Sequence, residues 1–159
     1  MISLIIFAAK YLVALPIIVA IGYALVSRRR REFLTYAVLV LVVSYAFASI
    51  AGQLYYNPRP FAVLGVAPLV AHADDNGFPS EHALLAGMLA GAVTPFNPAL
   101  GAFLWLIAVL IGIGRVFALV HHPIDIIASL LITGVISYLL WRFRYLYQSP
   151  KPTSTKSGA

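Results

Sequence analysis

Ser27-Arg28-Arg29-Arg30-Arg31-Glu32 lies between two apolar runs, and how this hexapeptide is read decides the kind of fold the chain makes. The run before it extends from about Ile2 to Val26, interrupted only by Lys10 and Pro16; the run after it extends from about Phe33 to Leu54. Each is long enough to cross a hydrocarbon core of about 30 Å. Four consecutive arginines would suit nucleic acid, but in a short loop between two spanning segments they read as an anchor on the cytoplasmic side. Lys10 is not at the extreme N-terminus and no small-residue cleavage site precedes the arginines. The first run therefore reads as a retained helix, not a signal peptide, with Lys10 snorkelling or facing other helices.

Composition agrees. Of 159 residues, 62% are hydrophobic and 10% charged, and the mean hydropathy is +0.93. A soluble domain carries roughly half apolar and a quarter charged residues, so the surplus apolar surface here must face lipid. The absence of cysteine excludes disulfides and thiolate metal sites. The net charge of +6 resides mainly in two clusters at the ends of apolar runs. That is the pattern of membrane orientation and anionic lipid contact, and no nucleic-acid partner is expected.

Working outward, Gln53 to Ser80 changes character. Pro58, Pro60, Pro68 and Pro79, with Arg59, His72, Asp74, Asp75, Asn76 and Gly77, forbid one long helix there. A third helix is predicted from Ser80, as N-cap, to about Val93, with small residues such as Gly87 and Gly91 that let neighbours approach closely. A fourth is predicted from about Ala99 to Val120 and a fifth from about Ile124 to Trp141, followed by Arg142 and Arg144. The expected fold is all-α, a polytopic membrane bundle of about five transmembrane helices with a polar extracytoplasmic loop between helices 2 and 3. Residues 1–148 form its single domain, and 149–159 read as a disordered polar cytoplasmic tail. With the arginine loop inside, both basic segments fall on the cytoplasmic face. Arg59, Ser80, His82, Arg115, His121 and Asp125 then meet at the opposite, extracytoplasmic face of a plasma membrane.

Taken singly, these residues have plain structural readings. Arg59 suits a headgroup contact, Arg115 a buried ion pair with Asp125, His72 a solvated loop position, and His122 a cap on the fourth helix. His121 and His122 both lie within helical reach of Asp125, and spacing does not choose between them. Metal-ligand spacing is absent, and the arginines would repel a cation. Together the residues fit a phosphoryl group better. Two guanidinium forks and the free amides of a helix N-terminus bind the anion, and histidines supply nucleophile and general acid.

Gly114-Arg115, five residues, His121, three residues, Asp125 resembles the third motif of the type 2 phosphatidic acid phosphatase superfamily. Pro79-Ser80-Glu81-His82 resembles its second motif, and Asn57-Pro58-Arg59-Pro60 the end of its first. The resemblance implies that His121 is the nucleophile and forms a phosphohistidine, with Asp125 orienting and polarising its ring. It implies that His82 protonates the leaving oxygen and then activates water, and that Arg59, Ser80 and Arg115 bind the phosphate. Three positions depart from the pattern. Gly52, beside Gln53, stands for the first-motif lysine, Gly114 for the third-motif serine, and Glu81 for the second-motif glycine. Gln53 and Glu81 are therefore accessory candidates. The runs Leu54–Phe61, His72–His82 and His121–Asp125 are most similar to bacterial undecaprenyl-diphosphatases of the bacitracin-resistance type. That branch implies a lipid diphosphate substrate cleaved outside the plasma membrane, recycling the carrier of cell-wall synthesis, with no metal or other cofactor. The motifs alone also admit a phosphatase of phosphatidic acid or phosphatidylglycerophosphate, and a lipid-binding or lipid-translocating protein without catalysis is the competing class. Oligomeric state has no signature in the sequence.

Overall fold

The computed structural model describes residues 1–147; the expected disordered tail lies outside the described residues. In chain order the helices are α1 (Ile2–Ile6), which runs into a π-helical turn (Phe7–Tyr11), α2 (Ala14–Val26), α3 (Arg30–Leu54), α4 (Pro60–Leu64), α5 (Glu81–Val93), α6 (Pro98–Phe117) and α7 (Pro123–Tyr147). Three of them, α3, α6 and α7, are long and apolar enough to cross a membrane. The segment from Ile2 to Val26 makes a fourth if its two halves, bent by 42°, are counted as one span.

That bend departs from the single straight helix expected. Pro16 has no N–H to return to Leu12, and the ladder widens ahead of it, with Leu12 N–H reaching back five residues to the Phe7 carbonyl at 3.0 Å. The widened turn lies on α6, where a Cβ at Gly114 would come within 2.7 Å of the Ala8 Cβ. A side chain at position 114 would push the turn away, which accounts for the missing third-motif serine. Lys10 faces outward over the Tyr11 ring.

Helix α5 is the centre of the bundle and packs against α2, α3, α6 and α7. Beyond Glu81 and His82 its residues are apolar on every side, and Ala83, Ala86, Ala90, Ala92 and Val93 have no exposed surface. At 13 residues it is about 20 Å long, shorter than a hydrocarbon core. The outer helices show the reverse pattern, exposing large apolar side chains such as Val42, Phe47, Leu106, Ile113, Leu131 and Val135. This is the surface of a membrane protein.

Close approach of α5 to α7 depends on glycine. Gly87 faces Thr133, and a Cβ at Gly91 would lie 2.7 Å from the Ser137 hydroxyl. Thr133 and Ser137 spend their hydroxyls on carbonyls of α7 itself, bonding Ser129 at 3.0 Å and Gly134 at 3.1 Å, so the seam needs no cross-helix partner. Replacing Gly87 with leucine is expected to destabilise the bundle by about 1–3 kcal/mol or more through overpacking. Thermal melting in detergent checks this. Gly22, with nothing within 4 Å of a built Cβ, supplies the control: Gly22→Ala is expected to hold or slightly raise the melting temperature.

The expected fourth helix overshoots. Helix α6 ends at Phe117 because Leu119 adopts a left-handed conformation (φ 62°) that turns the chain back. The freed carbonyls of Leu119 and Ala118 accept from Phe61 N–H at 3.0 Å and Leu69 N–H at 3.2 Å. These bonds join the α4 region to the α6–α7 turn, so segments distant in sequence meet at one end of the bundle.

Candidate active site

Three connections supply this end: the chain from α3 into α4, the residues leading into α5, and the α6–α7 turn. Asn76 joins the first two. Its side-chain oxygen accepts from Asn57 N–H at 2.9 Å and Phe78 N–H at 3.0 Å, and its amide donates to the carbonyls of Gly52 at 2.9 Å and Tyr55 at 3.1 Å. A fully used side-chain amide of this kind fixes two loops against each other.

His121 lies in the middle, 2% exposed. Its Nδ1 is 2.8 Å from the Gly77 carbonyl oxygen, which can only accept, so Nδ1 carries the proton. The lone pair of Nε2 then faces Arg59 at 3.4 Å and Arg115 at 3.3 Å. Burial holds the His121 imidazole below its ordinary range; Arg115 and Arg59 push the same way, and Asp125 opposes them. The ring is thus neutral, with its free nitrogen aimed between two cations.

Each guanidinium is anchored from behind. Arg59 donates through Nε to Asp75 at 2.7 Å and through its terminal nitrogens to the carbonyls of Val120 at 2.8 Å and Asn76 at 3.3 Å. Arg115 donates to the Ala9 carbonyl at 3.2 Å, in the widened turn of the N-terminal segment, and its Nε has no protein partner. The ion pair weighed between Arg115 and Asp125 is not among the salt bridges of the described residues.

Asp125 is fully buried and sits 3.5 Å from His121 Nδ1. That is longer than a hydrogen bond, and Gly77 is the nearer acceptor. The carboxylate is engaged elsewhere: Oδ1 accepts from the Asn57 side-chain amide at 2.7 Å and Oδ2 from His122 N–H at 2.8 Å. Asn57, Asn76 and the Gly77 carbonyl are therefore part of the site, although sequence reasoning gave them no role. Only the unexplained polar residues around Arg59 and Gly77 hinted at them.

Ser80 occupies the N-cap position of α5, but its hydroxyl does not cap the helix; Oγ is buried without a partner. Its backbone is held instead, with the carbonyl accepting from Ser129 Oγ at 2.9 Å. His82 is half-buried on the first turn of α5, with Arg115, His121, His72 and Arg59 as electrostatic neighbours.

His72 and His122 depart from their plain readings. His72 is half-buried rather than solvated, its ring perpendicular to that of His121 at 6.1 Å. Burial, with Arg59 and Arg115 adding, pushes its imidazole down to about 4, so it is uncharged at neutral pH. The His122 ring does not cap α6; its Nε2 lies 3.1 Å from the Pro58 carbonyl. Gln53 and Glu81 are exposed and line a cavity of about 260 Å³ together with Arg59, His72 and Asp75. A Cβ at Gly52 would lie 3.0 Å from the Phe78 carbonyl, so a lysine there would displace the loop leading to Ser80. Among the described residues, no three His, Asp or Glu side chains are grouped as metal ligands would be.

Residues 33–148 match the family model of the PAP2 superfamily. A bacitracin transport permease protein, BcrC, of Bacillus licheniformis is 35% identical over 136 residues, covering 84% of this chain and 66% of the relative, just under two thirds of its length. Undecaprenyl-diphosphatase BcrC of Bacillus subtilis is 28% identical over 142 residues, covering 89% of this chain and 74% of the relative. The crystal structure of LpxE from Aquifex aeolicus shares the fold, with a TM-score of 0.68 at 24% identity over 88% of this chain and 82% of that one. Family match, bundle and buried His–Arg cluster converge: this chain belongs to the PAP2 superfamily.

Proposed function

We propose that the protein hydrolyses a polyprenyl diphosphate, undecaprenyl diphosphate in particular, to the monophosphate and inorganic phosphate through a phosphohistidine on His121. The observation that carries the reading is the unprotonated Nε2 held between two anchored guanidiniums. Arg59, Arg115 and the unpartnered Ser80 hydroxyl bind the oxygens of the terminal phosphoryl group, where transferred charge is spread. Nε2 attacks the phosphorus in line and the bond to the bridging oxygen breaks. His82 gives its proton to that oxygen, and the lipid monophosphate leaves. His82 then takes a proton from water, whose oxygen attacks phosphorus and breaks the P–N bond. Phosphate is released and neutral His121 returns. The Gly77 carbonyl holds Nδ1–H, and the Asp125 carboxylate 3.5 Å away offsets the charge while the ring is positive.

The substrate class rests on the relative named undecaprenyl-diphosphatase and on the resemblance of Leu54–Phe61, His72–His82 and His121–Asp125 to that branch, with the first-motif lysine missing at Gly52 and the acidic Glu81 before His82. In the membrane, α5 serves as the third of five crossings and residues 1–148 act as one phosphatase domain. The arginine loop faces the cytoplasm and the His121 end faces outward, where the carrier lipid is recycled during cell-wall synthesis. Gln53 and Glu81, which line the adjoining cavity, meet the leaving half of the substrate in this reading. The name of the Bacillus licheniformis relative favours one second reading, lipid or drug translocation without hydrolysis. Purified protein is expected to release phosphate from undecaprenyl diphosphate faster than from phosphatidylglycerophosphate or phosphatidic acid at equal surface concentration. Preference for a glycerolipid would overturn the substrate, and no release from any of them would favour translocation.

A further inference from the structure

The opposite end of the bundle carries a second charged cluster, one that hydrolysis does not use. Helix α3 runs 25 residues, about 37 Å, between the two ends. At its start, a cavity of about 440 Å³ opens between α3 and α7, lined by Arg31, Glu32, Thr35, Tyr36, Leu39, Leu140 and Arg144. That volume lies in the range of small-molecule sites.

The lining is graded along the helix axes. On α3, Arg31, Thr35 and Leu39 follow one another at four-residue intervals, one face of a helix. On α7, which runs the other way, Arg144 and Leu140 repeat the order, so cation lies beside cation and leucine beside leucine. Glu32 does not cancel the charge: its Oε2 accepts from Arg29 Nη2 at 2.7 Å and from Arg144 Nη2 at 2.6 Å. Three arginines against one carboxylate leave two net positive charges. Arg31 is exposed and makes no ion pair among the described residues. Arg144 is held in place by Glu32 and by the rings of Phe96 at 5.8 Å and Trp141 at 5.4 Å. The first amides of α3 add to the positive end, because no side chain caps that helix.

A cationic mouth above an apolar groove matches an anionic amphiphile whose charged head sits at the membrane interface and whose chain lies along the helices. We infer that this groove binds one anionic phospholipid. Arg31, Arg144 and the start of α3 hold its phosphate, and Leu39 and Leu140 receive the upper acyl chain. Charge selects the occupant: a zwitterionic headgroup brings a second cation into a site already two charges positive. The bound lipid bridges α3 and α7, the two helices whose other ends lead to Arg59 and carry Asp125, so it clamps the bundle without touching the reacting atoms.

The test uses the full chain in detergent, with phosphatidylglycerol, phosphatidylcholine or inorganic phosphate added, read by native mass spectrometry and thermal melting. Phosphatidylglycerol is expected to saturate near one retained molecule per chain and to raise the melting temperature by several degrees more than phosphatidylcholine. Inorganic phosphate at millimolar concentration is expected to do neither. Arg31→Gln is expected to cut retained phosphatidylglycerol about tenfold with hydrolysis unchanged. Arg144→Gln is expected to do the same, but it also releases Glu32, so Arg31→Gln is the deciding variant. Equal stabilisation by the two lipids, a full shift from inorganic phosphate, or unchanged retention in Arg31→Gln would each overturn the assignment. The last outcome would locate the lipid at the His121 end.

Discussion

His121→Ala is expected to lower phosphate release by about 10⁴-fold or more while the protein stays folded, since loss of a nucleophile removes most of the acceleration. The ring is the meeting point of two arginines, so an objection is that its removal collapses the site. The geometry argues otherwise. Arg59 keeps Asp75 and the Val120 and Asn76 carbonyls, and Arg115 keeps the Ala9 carbonyl, without any help from the imidazole. Melting temperature should therefore move little while turnover disappears. His82→Ala gives the complementary result. Its loss is expected to cost about 10²–10⁴-fold, the usual range for a general acid–base. The monophosphate leaving group departs without assistance more readily than water attacks without a base, so phosphate should accumulate on His121. Brief incubation with a substrate labelled in its terminal phosphate, followed by alkaline gel separation, should show acid-labile label in His82→Ala and none in the double variant with His121→Ala. More than about 1% residual turnover in His121→Ala would remove the phosphohistidine mechanism.

The residues at the helix ends were legible because the chemistry they carry is carried by side-chain type. Arginine in a glycine-rich apolar helix, or histidine before proline and aspartate, stands out against an apolar background, and the apolar runs give most helix bounds to within a few residues. What did not show were partners contributed by the backbone. The nearest acceptor for His121 is the carbonyl of Gly77, and the anchors of Arg115 and Arg59 are carbonyls of Ala9, Val120 and Asn76. Every residue has a carbonyl, so no letter of the sequence marks these. The π-helical turn that presents Ala9 lies ahead of Pro16 and packs, through Ala8 and Ala9, against Gly114, more than a hundred positions away. Aspartate four residues after histidine suggested a direct bond, yet the carboxylate turned to Asn57 and to the His122 amide. The central place of α5 in the bundle was equally hidden, although its bounds were not, because composition cannot separate an apolar helix facing lipid from one facing other helices.

Asn57 leads to the second large effect. Its side-chain amide donates to Asp125 at 2.7 Å, and its backbone carbonyl accepts from Gly77 N–H at 2.9 Å, so one residue braces both groups that face His121 Nδ1. Removing the side chain in Asn57→Ala leaves a buried carboxylate oxygen without its donor, at a cost of about 1.5–3 kcal/mol. If that cost falls on the transition state, turnover drops about 10²-fold, with little change in KM because Asn57 does not line the phosphate position. Asn57→Asp is expected to be worse near neutral pH, about 10³-fold, because two carboxylates then face each other within hydrogen-bonding distance. It is also expected to be recoverable. The facing charge raises the pKa of the new carboxyl, and below that pKa its O–H donates to Asp125 as the amide does. The ratio of Asn57→Asp to wild-type activity should therefore climb as pH falls, whereas the ratio for Asn57→Ala stays flat. The recovery has a limit. His121 attacks as a neutral ring, so activity is lost in every variant as pH falls through its pKa, which burial holds below the ordinary imidazole value of 6.5. A purely structural role for Asn57 predicts two flat ratios and a matching loss of melting temperature. A rising ratio in Asn57→Asp alone means that the residue acts through the charge on Asp125.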